Sequence, residues 1–342
     1  MSVRVAIVGA TGVVGQTLLK VLDERSFPQS EVRLLASAAS VGRTMEFQGR
    51  QLTVAEATPA AFTDIDIAFF AASGEVAKEL APAAVARGAI VIDNSSAYRM
   101  TPDVPLVVPE INAEDIRRHQ GIIANPNCST IIMAVALKPI YDAVGIKRVV
   151  VSTYQAASGA GIAAVEELKA QIEAYVEGRP LTAQVLPTAS GKKHYQLAFN
   201  VIPQVDVFRA DGYTQEEWKM TYETQKIFND PSLMVSATTV RVPVMWCHSE
   251  SINVETKRKL TAGQARQLFA QAKGLVLLDD ATEQLYPMPI DFPDRDEVFV
   301  GRIREDISCD SGLNLWAVGN QLRKGAASNA VQIAEAIIKD YA

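Results

Sequence analysis

The stretch that decides the fold is Val3-Arg4-Val5-Ala6-Ile7-Val8-Gly9-Ala10-Thr11-Gly12-Val13-Val14-Gly15. Residues 3–8 are nearly all apolar, as expected of a central parallel strand that is covered on both faces. Residues 9–15 then place a glycine at every third position, and the apolar residues that follow share one helical face. Such glycines let a pyrophosphate approach the backbone N–H groups at a helix start. The stretch predicts a dinucleotide-binding turn, although its Gly-x-x-Gly-x-x-Gly spacing differs from the common Gly-x-Gly-x-x-Gly.

Working outward, apolar strands alternate with helical patterns up to residue 93. We predict strands at residues 31–36, 65–71 and 89–93, and a helix at residues 75–87. This order implies right-handed crossovers and an α/β domain with a doubly wound, Rossmann-type parallel sheet. Ligands bind such sheets beyond the carboxyl ends of the strands. The candidate ligand-binding residues at those ends are Ser73, Gly74 and Asn94.

The loop after the second strand is informative about the cofactor. An NAD site usually presents Asp or Glu to the ribose hydroxyls at this point, and residues 37–43 contain neither. Ser37, Ser40 and Arg43 would instead accommodate a 2′-phosphate, which favours NADP over NAD. A solvated loop without a role in binding is the alternative.

The pattern changes after residue 128. Strands predicted at residues 147–154, 235–242, 251–257, 298–304 and 314–318 are interspersed with helices at 162–176, 214–228 and 261–273. They indicate a second, α+β domain with a mixed, largely antiparallel sheet. We expect a terminal helix at residues 325–341 to pack back on the first domain. The predicted domains are 1–127, completed by 323–342, and 128–322.

Composition and charge exclude several classes of protein. The 342 residues are 48% hydrophobic and 21% charged, as in ordinary soluble globular proteins. The net charge of −6 is well mixed and forms no basic stripe, which argues against nucleic acid or a membrane surface as partner. No apolar run reaches the length of a membrane span, and a strand so near the start leaves no room for a signal peptide. We therefore expect a cytoplasmic protein.

Cys128 is the candidate nucleophile. It follows Asn125-Pro126-Asn127, between a short apolar strand predicted at residues 121–124 and a buried helix predicted at 130–141. Free N–H groups at a helix start stabilise a thiolate, although cysteines in such positions are more often inert core residues. The other cysteines, Cys247 and Cys309, form no Cys-x-x-Cys pair with it, so we expect neither disulfides nor a metal site.

A thiol nucleophile needs a base, and the sequence offers His119, His194 and His248. His119 lies in a charged run and His194 beside two lysines, which suggests surface or interface positions. His248 follows a predicted strand that contains Arg241, a residue suited to bind a carboxylate through two hydrogen bonds. His248 is therefore the preferred candidate, with a structural histidine as the alternative.

Taken together, these motifs resemble the bacterial aspartate-β-semialdehyde dehydrogenase family over essentially the whole chain. That family is NADP-dependent and serves the synthesis of lysine through diaminopimelate, threonine and methionine. A cysteine motif followed along the chain by a motif with arginine and histidine is specific to that family. The resemblance rests on the glycine turn, Asp93-Asn94-Ser95-Ser96 with Arg99, Asn125-Pro126-Asn127-Cys128, Tyr154-Gln155 with Ser158-Gly159-Ala160-Gly161, Glu216-Glu217-Trp218-Lys219, and Arg241 with His248.

The resemblance implies a role for each matched residue. Cys128 would attack the aldehyde, His248 would act as general acid/base, and Gln155 would orient the substrate. Hydride transfer to NADP would leave a thioester, which phosphate would convert to 4-phospho-L-aspartate. Among the implied substrate-binding residues, Arg241 would hold the α-carboxylate, Glu216 the ammonium, Arg99 and Lys219 the phosphate, and Asn127 would assist at the developing oxyanion.

The resemblance also implies the cofactor site and the assembly state. The family is homodimeric or a pair of dimers, with the second domain making the main contact. Where many relatives carry an arginine for the NADP phosphates, this chain has Ala39, so Ser37, Ser40 and Arg43 must provide any NADP selectivity. The implied cofactor residues are Gly9, Thr11, Gly12, Val13, Val14, Ser37, Ser40, Arg43, Ser73, Gly74, Asn94, Ser158, Gly159, Gly161 and Asn320.

Two other functions stay open on the sequence. One is a related phosphorylating aldehyde dehydrogenase such as N-acetyl-γ-glutamyl-phosphate reductase, whose acetylated substrate has no ammonium for Glu216 to bind. The other is an inactive relative that binds a dinucleotide without catalysis.

Overall fold

The computed structural model describes residues 2–341, without the side chains of residues 340 and 341. Contacts within the chain define two compact units. The first unit runs to Cys128 and resumes at Gly325, and the second unit is Ser129–Lys324.

Most strands lie close to the positions that periodicity predicts. Four short strands, β3, β4, β5 and β12, were not predicted. Their segments are too short or too exposed to give a clear apolar period. The strands are β1 (Val3–Val8), β2 (Gln29–Ala36), β3 (Thr44–Phe47), β4 (Arg50–Thr53), β5 (Ala55–Glu56), β6 (Ile67–Phe70), β7 (Ile90–Asp93), β8 (Ile122–Ala124), β9 (Ile146–Gln155), β10 (Met234–Arg241), β11 (His248–Thr256), β12 (Leu275–Leu277), β13 (Val298–Glu305) and β14 (Gly312–Gly319).

The helices also follow the predicted pattern. The terminal helix begins later than expected, because a π-helical turn at Arg323–Ala327 precedes it. The helices are α1 (Val13–Glu24), α2 (Gly74–Val85), α3 (Pro109–Asn112), α4 (Cys128–Val144), α5 (Ile162–Val176), α6 (Gln215–Ile227), α7 (Ala262–Gln271) and α8 (Ser328–Tyr341).

The first unit contains a six-stranded sheet in the order β5-β2-β1-β6-β7-β8, and every pair in it is parallel. This is the predicted doubly wound sheet. Helices α1 and α8 contribute to the hydrophobic core on one face, and α2 contributes to the core on the other. The buried faces of β1 explain its apolar run.

Helix α8 packs on the first unit, as predicted. Arg25, after α1, donates from Nε to Glu335 Oε1 at 2.8 Å and from Nη2 to Oε2 at 2.7 Å. Val331 and Ile337 of α8 are buried in the same hydrophobic cluster as Leu18 of α1. The last part of the chain therefore completes the core of the unit that the first part begins.

The second unit contains the predicted mixed sheet, in the order β10-β9-β11-β14-β13-β12. The three central pairings are antiparallel and the two outer ones are parallel. Helix α4 lies close to the end of β14, since a Cβ on Gly319 would lie 2.8 Å from Cγ1 of Ile132. The sheet thus aligns the ends of β9, β10 and the start of β11 at one edge.

Between α5 and α6 the chain runs through residues 177–214 without a regular helix or strand. Gln171 of α5 anchors this segment, because its Oε1 accepts hydrogen bonds from the N–H groups of Leu197 and Ala198, each at 2.9 Å. Tyr175 and Phe199, both exposed, bring their rings to a centroid separation of 4.5 Å. The end of α5 and this segment therefore share one exposed pair of aromatic rings.

The described residues include no helix with the length and apolar character needed to cross a membrane. Within residues 2–341, no group of three or more His, Cys, Asp or Glu side chains is arranged to hold a metal ion. The three cysteines are not joined in disulfides.

Candidate active site

The glycine turn of the first unit follows β1 and lies close to the backbone that follows β6. Gly9 has a φ of +82°, and a Cβ there would lie only 2.3 Å from the carbonyl oxygen of Ala71. Only glycine fits this close approach between the turn and the residue that follows β6. The predicted cofactor residues Gly12, Val13 and Val14 lie at this helix start, and Ser73 and Gly74 lie at the start of α2.

The loop after β2 lies beside this turn. Thr11 Oγ1 is 3.4 Å from Ser40 Oγ. Thr11 and Arg43 also line a cavity of about 650 Å³, together with Lys20 of α1. Ser37 and Arg43 are exposed, and Ser40 is half-buried. The predicted phosphate-binding residues are thus available to a ligand on the surface of the first unit.

Polar side chains at the ends of β7 and β8 are bonded to one another. Asn125 Nδ2 donates to Asn94 Oδ1 at 3.0 Å, and Asn329 Nδ2 donates to Asn125 Oδ1 at 2.7 Å. Arg99 donates from Nε to the carbonyl of Asn125 at 3.0 Å and from Nη2 to that of Asn94 at 2.8 Å. Arg99 is buried, with 8% of its surface exposed.

Cys128 is the first residue of α4 and is half-buried. Asn127, which precedes it, is buried. A Cβ on Gly325 would lie 2.8 Å from Cβ of Cys128, so a side chain at position 325 would press on the cysteine. Sequence reasoning missed Gly325, because its closeness to Cys128 arises only when the end of the chain returns to the first unit.

The second unit places three predicted residues at one edge of its sheet. Gln155 ends β9 and is paired in register with Arg241, which ends β10. His248 begins β11, the other neighbour of β9. The sequence placed His248 in the segment before a strand that starts at residue 251, and that boundary is wrong because β11 begins at His248 itself. All three side chains are buried.

The backbone of Ala156 links two of these side chains. Its N–H donates to His248 Nδ1 at 3.0 Å, and its carbonyl accepts from Arg241 Nη1 at 2.7 Å. Burial and, to a smaller extent, the neighbouring Arg241 charge lower the pKa of His248 to about 3, against the opposing effect of Glu216. The imidazole is therefore neutral at physiological pH.

The second glycine turn lies directly beside this pair. A Cβ on Gly159 would lie 2.8 Å from Cε1 and 3.0 Å from Nε2 of His248, and 2.9 Å from Nη1 of Arg241. Ser158, which is buried, donates from Oγ to the carbonyl of Met245. The space beside His248 and Arg241 therefore exists because residue 159 is a glycine. Gly161, two residues later, lies at the start of α5.

Gln321 supports the segment that leads into His248, and sequence reasoning missed it. Its Oε1 accepts from the N–H of Cys247 at 3.0 Å, and its Nε2 donates to Ser158 Oγ. Cys247 itself has a φ of +65°, unusual for a residue with a side chain. The predicted cofactor residue Asn320 is buried and accepts from the N–H of Leu322 at 2.8 Å.

Glu216 and Lys219 lie on α6, whose start is fixed by a capping box between Thr214 and Glu217. Glu216 is buried and accepts from Gln155 Nε2 at 3.2 Å. Lys219 Nζ lies 3.3 Å from Glu216 Oε2 and 2.6 Å from Asp206 Oδ2. Glu216 is thus not an exposed helix charge, which its place in a charged run would by itself suggest.

Glu250 is a further buried acid of β11 that sequence reasoning missed. It lies two residues beyond His248, on the same face of the strand, and opposite Thr153 of β9. Its two carboxyl oxygens have no hydrogen-bond partner among the described residues. Burial, aided by Glu216, raises the pKa of Glu250 well above its usual value. The period-two spacing from His248 was the available sequence signal.

The other two histidines have local structural contacts. His119 Nδ1 accepts from the N–H of Gly121 at 3.0 Å, and burial lowers the pKa of His119. His194 Nε2 lies 3.2 Å from the carbonyl oxygen of Thr188. Neither has the functional neighbours that surround His248.

Comparison with known proteins assigns the family. Residues 4–119 match the model of the semialdehyde dehydrogenase NAD binding domain, and residues 137–324 match that of the semialdehyde dehydrogenase dimerisation domain. Aspartate-semialdehyde dehydrogenase of Aquifex aeolicus is 54% identical over 99% of both chains. Crystal structures of aspartate semialdehyde dehydrogenase II from Vibrio cholerae, one of them complexed with ASA, are 49% and 48% identical, with TM-scores of 0.95 and complete coverage of both chains. The chain therefore belongs to the aspartate-semialdehyde dehydrogenase family of oxidoreductases.

Proposed function

We propose that the chain interconverts L-aspartate 4-semialdehyde plus phosphate and 4-phospho-L-aspartate, with NADP as the hydride acceptor and Cys128 as the covalent nucleophile. The observation that carries this proposal is the group of charges at one edge of the second sheet. Arg241 and Glu216 lie around Gln155, and they match the carboxylate and the ammonium of a free amino acid.

The substrate proposal follows from the contacts of these residues. Glu216 is held by Gln155 Nε2, and its buried carboxylate is a suitable partner for an ammonium group. Arg241 is fixed through Ala156, so its guanidinium is oriented before a ligand arrives. Gln155, between the two, orients the substrate. An N-acetylated substrate would lose the charge that Glu216 recognises.

Cys128 supplies the nucleophile in this proposal. Its position as the first residue of α4 lets backbone N–H groups stabilise the thiolate and the oxyanion that forms on attack, with Asn127 assisting. The resulting thioester retains the energy of aldehyde oxidation until phosphate captures it. Arg99 and Lys219 are the proposed phosphate-binding cations.

The residues of the first unit fit a dinucleotide. The glycine turn leads from β1 directly into the N-terminus of α1, the usual place for a pyrophosphate, and no acidic residue lies in the loop that carries Ser37, Ser40 and Arg43. We propose that these three residues favour the 2′-phosphate of NADP, and that Asn94, Ser158, Gly161 and Asn320 complete the site. When bound, NADP accepts the hydride.

A second copy of the chain is the proposed partner. The match to a dimerisation domain over residues 137–324 supports a homodimer, and a pair of dimers is the larger alternative. The exposed Tyr175 and Phe199 lie within this range. We further propose that the enzyme acts in the cytoplasm, in the synthesis of lysine, threonine and methionine.

The decisive experiment follows NADPH formation from L-aspartate 4-semialdehyde in the presence of phosphate. We expect Cys128→Ser to lower kcat at least about a thousandfold because oxygen is a far weaker nucleophile than a thiolate. NADP binding to the variant, measured by calorimetry, should persist. Cys309→Ser, which changes a cysteine in the turn between β13 and β14, is the matched control and should retain activity.

Three results would contradict the proposal. Unchanged turnover in Cys128→Ser would remove this residue from the mechanism. A preference for N-acetyl-glutamate semialdehyde would indicate the related reductase, and no turnover by the wild-type chain would indicate an inactive relative. Running the same assay with NAD and with NADP tests the cofactor, and Arg43→Ala should raise the KM for NADP much more than the KM for NAD.

A further inference from the structure

Glu250 lies in the same buried polar layer of the second unit as the acid that we assign to the substrate ammonium. It is directly opposite Thr153 of β9, and the Cβ atoms of such opposite residues lie roughly 5 Å apart on one face of a sheet. Gln155 Nε2 donates to Thr153 Oγ1 at 3.4 Å and to Glu216 Oε1 at 3.2 Å. Glu250 is thus a neighbour of Glu216 through the buried side chains of Thr153 and Gln155.

The carboxyl group of Glu250 has no hydrogen bond of its own. Neither of its oxygens has a partner within the part of the chain that the structure describes, although the residue is fully buried. A buried polar group in this state costs about 1–3 kcal/mol unless another molecule supplies the hydrogen bond. Glu216, by contrast, accepts from Gln155 at one oxygen and from Lys219 Nζ, at 3.3 Å, at the other. Glu250 therefore retains more of its capacity to accept hydrogen bonds.

The charges in this layer favour a cation beside Glu250. Lys219 Nζ lies between Glu216 and Asp206, whose Oδ2 is 2.6 Å away, so this one cation is shared by two carboxylates. Burial, and to a smaller extent the charge of Glu216, raise the pKa of Glu250. A ligand cation would act in the opposite direction, because a nearby positive charge stabilises a carboxylate. The site is therefore suited to a ligand that carries an ammonium group.

We propose that Glu250 is a second acid of the ammonium-binding site, and that its carboxyl oxygens accept a hydrogen bond from the α-ammonium group of the substrate. This proposal rests on the function proposed above and adds a specificity-determining residue to it. An ammonium group has three N–H donors, so two acids satisfy more of its hydrogen bonds than Glu216 alone.

This arrangement predicts strong discrimination against substrates without an ammonium group. Such a substrate leaves Glu250 buried and unpaired, and sites built to bind an N–H group reject analogues that lack it for this reason. An N-acetylated substrate has no positive charge and a single N–H, so it would also bind poorly to a pair of acids.

Two semialdehydes that differ only in the ammonium group test the proposal. L-aspartate 4-semialdehyde and succinate semialdehyde have the same four carbons, carboxylate and aldehyde. The ratio of their kcat/KM values, with phosphate and NADP, is measured in the wild type, Glu250→Gln and Glu250→Leu. We expect the preference for the amino acid to fall about tenfold in Glu250→Gln, which keeps one acceptor oxygen, and about a hundredfold in Glu250→Leu, which keeps none.

Glu255→Gln is the matched control. Glu255 lies on the same strand, but it pairs with Lys147 at a partly exposed position, so its substitution should leave the ratio unchanged. Chemical denaturation verifies that each variant is folded, and we expect Glu250→Leu to fold because an apolar side chain of similar size replaces an acid without a partner.

Two results would overturn the role of Glu250 while leaving the proposed function intact. One is an unchanged ratio in Glu250→Leu, and the other is a loss of kcat/KM that is equal for the two substrates, as a purely structural role would produce. If the wild type itself does not prefer L-aspartate 4-semialdehyde to succinate semialdehyde, the proposed function fails, and the role of Glu250 fails with it.

Discussion

The two units treat the polar groups at their strand ends differently. In the first unit, Asn94, Asn125 and Asn329 are joined by hydrogen bonds of 2.7–3.0 Å. In the second unit, His248 Nε2 and the carboxyl oxygens of Glu250 have no such partner among the described residues. The first arrangement is a largely buried network in which these amides are paired, whereas the second leaves buried polar atoms without a hydrogen bond among the described residues.

This difference has an energetic meaning. A satisfied buried network stabilises its unit, and an unsatisfied polar atom destabilises its unit by about 1–3 kcal/mol. Buried polar groups without a partner therefore persist where a ligand or a reacting atom supplies the missing hydrogen bond. Substitutions in the first network should reduce stability, while substitutions in the second should mainly alter activity or pH dependence.

The largest expected effect comes from Asn329→Asp. The substitution replaces an amide that donates to Asn125 and Val107 with a buried acid, which leaves both acceptors without their donor. We expect the free energy of unfolding to fall by about 4 kcal/mol, measured by chemical denaturation. Asn200→Asp, at an exposed position, is the control. Wild-type stability in Asn329→Asp would contradict a structural role for this network.

Arg241→Lys should have the next largest effect, on activity. Lysine keeps the charge but cannot bind a carboxylate through two parallel hydrogen bonds or reach the Ala156 carbonyl in the same geometry. We expect kcat/KM for aspartate semialdehyde to fall about a hundredfold, which corresponds to about 3 kcal/mol. Arg304→Lys on the exposed side of β13 should have no such effect, and equal behaviour of the two variants would remove Arg241 from the substrate site.

Gly159→Ala tests whether the open space beside His248 is necessary. The new methyl would lie within 3.0 Å of atoms of His248 and Arg241, so these side chains or the ligand must move. We expect a loss in kcat/KM of roughly thirtyfold, about 2 kcal/mol. Gly263→Ala, where a Cβ meets nothing within 4 Å, is the matched control and should not affect kcat/KM. Normal activity in Gly159→Ala would refute this role.

Glu250→Gln should have the smallest effect, of about 1 kcal/mol on stability. Because the pKa of Glu250 is raised in the folded state, the folded protein keeps a proton that the unfolded chain loses as pH rises above about 4.5. The wild type should thus lose stability between pH 5 and pH 8, and the variant should lose less. Denaturation at both pH values measures this, with Ser251→Ala as control. An identical pH dependence in Glu250→Gln and wild type would show that Glu250 is ionised in the fold.

Much of the fold could be predicted from local patterns. The apolar run of β1, the glycine turn and the alternating strands and helices predicted the doubly wound sheet, because central parallel strands must be apolar on both faces. The short strands β3 and β4 were missed because their exposed residues lack a clear period. The start of β11 was misplaced because His248 and Glu250 interrupt its apolar pattern with buried polar residues.

The sequence by itself determined the fold class, the family and the identity of the candidate chemical groups, since these follow from periodicity and from motifs of adjacent residues. Only the tertiary structure decided the state of those groups. Ala156 and His248 are 92 positions apart, and their hydrogen bond exists because β9 and β11 are neighbours in the sheet. That contact orients the ring of His248, and burial raises the pKa of Glu250. Protonation depends on the surroundings of a side chain in space, which the order of residues along the chain does not specify.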